Sequence, residues 1–108
     1  MDVQWSRCEA VLDDARRLQA AAAPDLDDLE RVLTDGYACV LRTEGERSRL
    51  RTQLEECAAA IGAGPDRGDL VEMRALAQGI ARADSEIEEF RFALGRLAAR
   101  AQKLSKAS

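Results

Sequence analysis

Histidine and asparagine do not occur in this 108-residue chain, and its other scarcities each remove a class of chemistry. Without histidine there is no imidazole base, no Cys-His or Ser-His nucleophile pair, and no Glu-x-x-His helix of the kind that holds two irons. Cys8, Cys39 and Cys57 form no C-x-x-C pair, and their wide spacing fits no zinc pattern. The phosphate-cradling patterns G-x-x-x-x-G-K-S/T and G-x-G-x-x-G are both missing, and no strand is evident ahead of any glycine. The sequence therefore predicts no enzyme, no metal and no cofactor.

Long apolar runs are lacking too. None approaches the roughly 20 residues that span a bilayer, and Met1 to Ser6 lack the basic-then-apolar order of a signal peptide. The odd cysteine count predicts three reduced thiols acting as small hydrophobes on apolar helical positions, and with them a soluble cytoplasmic protein. The net charge is −4 and no face clusters lysine or arginine, so nucleic acid and membrane are not expected partners. Arginine stands in for lysine nearly everywhere, Lys103 and Lys106 excepted, a bias that resembles GC-rich bacterial coding. Aromatic residues at 4% leave few anchors for a thick core, and a charged fraction of 33% suits long helices better than a sheet.

What the chain does have is an apolar ladder in its C-terminal third: Met73, Leu76, Ile80, Ala83, Ile87, Phe90, Leu94, Leu97, Ala101, Leu104. Three-four spacing of this kind keeps one stripe of a helix against a partner helix. Pro24 and the Gly62-Ala63-Gly64-Pro65-Asp66 break divide the chain into helices over residues 2–22, 25–61 and 66–105. Asp25, Asp27 and Asp28 suit the positive end of the second helix, and Asp66 suits the cap of the third. The first helix carries Trp5, Cys8, Leu12 and Ala15 along one seam, flanked by Val11 and Leu18. The second carries Leu26, Leu33, Val40, Arg47, Leu54 and Ile61 on one seven-residue repeat, with Leu29, Gly36, Thr43, Leu50 and Cys57 beside it.

The predicted fold class is all-α: a single domain forming a three-helix antiparallel coiled-coil bundle with a long helical hairpin, expected to be homodimeric. At about 1.5 Å per residue the two later helices would reach roughly 55 to 60 Å. A fold-back near Ala63 sets Val40 opposite Ile87, Leu33 opposite Leu94, Leu54 opposite Met73, and Gly36 near Phe90; Gly79 and Gly95 read as sites of close helix approach. The shorter first helix can cover only the terminal half of such a hairpin. The apolar side left near the turn points to a second copy of the chain and a four-helix region. Leu50, Leu54, Cys57, Ile61, Leu70, Met73 and Leu76 are the candidate partner contacts, some of them shared with the hairpin's own seam.

The stretch Arg42 to Arg49 breaks the apolar pattern. Arg47 takes a core-type position with Thr43 as its companion, and the hairpin brings Asp84 within reach of either, with Trp5 at the same level. Such a polar layer fixes register or oligomer state. Alternatively Arg47 and Arg51, doubled by dimer symmetry, grip an anion.

Glu44, Ser48 and Arg51 resemble the first three positions of the E-x3-S-x2-R-x3-Q-x3-D pattern of cyclic-di-GMP-dependent anti-sigma coiled coils. Glu55 and Ala59 stand where that family has glutamine and aspartate. The resemblance implies a cyclic dinucleotide held by Glu44, Ser48, Arg51 and their neighbours. Leu29, Val32, Leu33, Tyr37, Val40 and Leu41, then a polar middle, then Leu50 and Leu54, form a pattern similar to the long amphipathic helix of flagellar-type secretion chaperones of the FlgN kind. That likeness covers about a third of the chain and implies a small acidic hairpin that holds a client's helix. The function expected is a non-enzymatic interaction module, an adaptor, chaperone or regulator binding a helical protein by helix-in-groove packing. A cyclic-dinucleotide-sensing regulator and a purely structural dimer are the alternatives.

Overall fold

A computed structural model describes the backbone of residues 3–61 and 67–107 and the side chains of residues 7–61 and 69–107. The described residues form three helices and no strand: α1 (Val3–Ala20), α2 (Leu26–Ile61) and α3 (Arg67–Ala107). The α1–α2 break falls at Pro24, where Asp25 caps α2. Its Oδ1 accepts the Asp27 N–H at 3.2 Å and its carbonyl accepts the Leu29 N–H at 3.0 Å. Asp27 and Asp28 follow in the first turn, at the positive end of the dipole. The expected fold-back at Ala63 and cap at Asp66 lie outside the described residues, as does the Trp5 side chain.

The chain forms two compact units, Met1–Leu41 with Glu88–Ser108, and Arg42–Ile87. In unit 1 all three helices pack together. Ala15 of α1, Leu29 and Val32 of α2, and Leu97 and Ala101 of α3 form one buried cluster, with Val11, Leu18, Leu26, Leu33, Ala93 and Leu104 packed against it. Cys8 pairs with Cys39 while Ala15 meets Val32, so α1 runs antiparallel to α2. Arg16 pairs with Glu89 at 3.5 Å while Leu18 meets Arg100, so α1 runs parallel to α3. The 82-residue offset of the Leu18–Arg100 contact puts Leu94 at the level of Leu12 and Phe90 at the level of Cys8, and all four are buried. Val32 and Cys39 lie off the two seams read from the sequence and form a third buried stripe on α2, turned to α1.

The α2–α3 register differs from the expected one. A Cβ on Gly36 would fall 2.9 Å from Cδ1 of Leu94 and closer still to Cδ2, so the large neighbour of Gly36 is Leu94, one turn beyond Phe90. A slip of one turn keeps every seam residue on its face, so periodicity does not separate the two registers; side-chain volumes do. Gly95 departs from expectation as well: it is exposed, a Cβ placed on it would meet nothing within 4 Å, and it is no site of close approach.

The cysteines need the largest correction. Cys8 and Cys39, expected as free thiols, form a disulfide with Cα atoms 5.8 Å apart, and both residues are buried. Their separation of 31 residues contains the α1–α2 turn, so only the docking of one helix on the other brings the sulfurs together. Closing a loop of that length removes about 3 to 4 kcal/mol of unfolded-chain entropy. The bond also removes the premise on which a cytoplasmic location was expected. No described helix is long and apolar enough to cross a membrane.

Arg100 supplies a contact that nothing in the sequence pattern foreshadows. Its Nη1 donates to the carbonyls of Leu18 at 2.9 Å and Gln19 at 2.6 Å, and its Nη2 donates to those of Ala21 and Ala22. α1 ends at Ala20 and the Leu18 carbonyl also accepts the Ala21 N–H at 3.3 Å, so the guanidinium gathers carbonyls of the last turn and of the chain just past it, where its charge complements the helix dipole.

Leu94 is wholly buried and has little room to yield to a new methyl. Gly36→Ala should therefore lower stability by about 1 to 3 kcal/mol, whereas Gly95→Ala should raise it by up to about 1 kcal/mol through helix propensity. Urea titrations of both variants check this; an unweakened Gly36→Ala would show that the α2–α3 approach is not tight at that level.

Candidate functional site

Unit 2 contains all the candidate contact and polar-layer residues, and only α2 and α3 build it. A pair of helices has one seam and no third element to close it, and the burial pattern follows. Among the described residues of the unit, Leu76, Ala83 and Ile87 are the buried apolar ones, and all three belong to α3. Leu50, Leu54, Cys57 and Ile61 of α2 and Met73 and Ile80 of α3 are half-buried, while Leu70 is 57% exposed and its neighbour Val71 68%. Of the seven candidate contacts, Leu76 thus belongs to the unit's own core, Leu70 faces solvent, and the other five straddle the edge between them. Of the unit's described glycines, Gly45 has nothing within 4 Å of an added Cβ, whereas at Gly79 one would lie 3.1 Å from Leu50 Cδ1.

The polar layer forms one turn beyond Leu50. Arg47 Nη1 donates to Asp84 Oδ1 at 2.9 Å, so of the two expected candidates, Thr43 and Arg47, this contact is made by Arg47. The pair is half-exposed, with Arg47 the more covered side chain at 25% and Asp84 at 47%. Solvent screening therefore limits its worth to about 1 kcal/mol or less. Arg47 Nε is buried without a partner, so the guanidinium is held on one side only. Glu44 is half-buried, whereas Ser48 and Arg51 are exposed. Arg49 pairs along the helix with Glu46, and the Ser48 carbonyl accepts the Thr52 hydroxyl at 3.1 Å.

A second cluster lies toward the start of α3, and sequence reasoning did not find it. The Cys57 thiol donates to the backbone carbonyl of Asp69 at 3.6 Å. Its sulfur and the carboxylates of Asp69 and Glu72 lie within 4.8 Å of one another. Desolvation raises the Cys57 pKa above its ordinary value, and the negative charges of Glu72 and then Asp69 raise it further. The group offers one sulfur and two oxygens, the only such triplet among the described residues. Its sequence signal was slight: an acid pair at i and i+3 in the opening turns of a helix that folds back past a cysteine.

Compared with protein-family models, curated proteins and solved structures, the chain matches none.

A thiol that resists ionisation in the fold reacts slowly: iodoacetamide should label Cys57 more slowly in the native chain at pH 8 than in urea, and Glu72→Gln should recover part of the difference. Since the folded pKa lies above the unfolded one, the associated stability is present at neutral pH and is lost as pH rises through the folded value. A double-mutant cycle with Arg47→Ala and Asp84→Ala should return a coupling of about 0.5 to 1 kcal/mol; a coupling of zero would mean that the layer does not hold register.

Proposed function

We propose that the chain is a non-enzymatic interaction module, a three-helix antiparallel coiled-coil bundle that binds helices of another protein chain through the open side of unit 2. A second copy of the chain is the first occupant in this reading, giving a homodimer with a four-helix layer. The observation that carries it is the half-exposed seam of Leu50, Leu54, Cys57, Ile61 and Met73, together with exposed Leu70 and Val71, on a pair of helices with no third helix in the same unit. Apolar surface of this kind favours association because packing a second helix pair completes the seam on all sides.

A second copy is the simplest occupant because a two-fold axis across the face lets each copy's open seam complete the other's. Engagement of Arg47 by Asp84 gives the anion-binding alternative less support, because a ligand would have to displace the carboxylate.

Sedimentation equilibrium should give about twice the 11.8 kDa chain mass at micromolar concentration. Leu54→Asp and Met73→Asp should each weaken association by at least about tenfold while leaving far-UV helicity nearly intact. A monomer at high micromolar concentration, or undiminished association in both variants, removes this face from consideration.

A further inference from the structure

We propose that Cys57, Asp69 and Glu72 form a binding site for a divalent cation of the zinc class, which ties the end of α2 to the start of α3. All three donors come from one chain and one unit, so the site does not depend on what covers the open seam.

The donors are assembled by folding. Cys57 lies in the last turns of α2, and Asp69 and Glu72 stand at i and i+3 in the opening turns of α3, hence on one face of that helix. Cys57 and Asp69 are 12 residues apart along the chain and belong to different helices, so the cysteine spacings by themselves show no metal pattern. Packing of α3 on α2 brings the sulfur and the two carboxylates within 4.8 Å of one another. Tetrahedral zinc, with bonds of about 2.0 Å to oxygen and about 2.3 Å to sulfur, sets its ligand atoms about 3.3 to 3.5 Å apart. The donors therefore have to close by about 1.5 Å at most. Glu72 supplies that movement, because its side chain is exposed and pairs with no cation among the described residues. The Asp69 carbonyl, which accepts from the Cys57 thiol at 3.6 Å, keeps the sulfur at the start of α3 while its proton is still in place.

The mixed donor set selects the ion. Magnesium and calcium take oxygen ligands, whereas a thiolate is a soft ligand that suits zinc and cadmium. Three protein donors leave one tetrahedral position for a water molecule. Binding exchanges the thiol proton for the metal: the S–H bond breaks, its electron pair goes to the cation as an S–metal bond, and the proton passes to solvent. Two carboxylates beside a neutral thiol become three anionic donors around a doubly charged ion, so the local negative charge falls by one.

The test uses the full chain with its disulfide intact, stripped of metal by a chelator and titrated with zinc chloride and, separately, with cobalt chloride. Calorimetry in two buffers of different ionisation heat should count about one zinc ion bound and about one proton released per chain near neutral pH. Cobalt should raise a sulfur-to-metal charge-transfer band in the near ultraviolet, and magnesium chloride should give no binding heat. Cys57→Ser should abolish the cobalt band, and Glu72→Gln, a change at an exposed side chain, should weaken zinc binding by about tenfold or more. Undiminished zinc binding in either variant would overturn the proposal, because acids elsewhere on the surface would then hold the ion. Absence of binding at about 0.1 mM zinc, or a cobalt spectrum without the sulfur band, would overturn it equally.

Discussion

The seating of α1 on α2 and α3 is the constraint from which most of this molecule follows. At 18 residues α1 is half the length of α2, which has 36, and less than half that of α3, which has 41. A third helix closes a core only where it is present. The largest wholly buried side chains, Phe90, Leu29, Leu94, Leu97 and Val32, all belong to the unit that contains α1. The unit without it buries three apolar residues among those described and leaves the rest of its seam half in water.

Among the described side chains of α1 the buried ones are Cys8, Leu12 and Ala15, of which only Leu12 is large. A disulfide near one end and a guanidinium at the other add to them. The disulfide acts on the unfolded chain by restricting it, whereas Arg100 acts on the folded one by donating to carbonyls at and just past the end of α1. The two devices differ in kind, one a covalent bond open to thiol exchange and the other a set of hydrogen bonds.

In unit 2 the half-open seam and the polar layer belong together. A two-helix seam of leucines alone has several registers of similar energy, and the Arg47–Asp84 pair favours one of them at little net gain in stability. The same openness keeps Cys57 only partly covered, beside the carboxylates that hold its proton in place. Association through this face would complete the seam that α1 completes elsewhere, which is the physical basis of the proposed function.

The sequence by itself determined the helices, their faces and the break at Pro24, because these depend on local rules: apolar residues every three or four positions, an aspartate cap, a proline that cannot continue a helix. It also put Asp84 within reach of Thr43 or Arg47, and the structure pairs it with Arg47. The tertiary structure alone decided the rest. Registers one turn apart preserve the same apolar face, so periodicity could not choose between them; the observed one seats Leu94 against Gly36. Cys8 and Cys39, Arg100 and the end of α1, and Cys57 and the Asp69–Glu72 pair are each far apart along the chain or silent in periodicity. What joins them is the docking of one helix on another, and no local pattern encodes that distance.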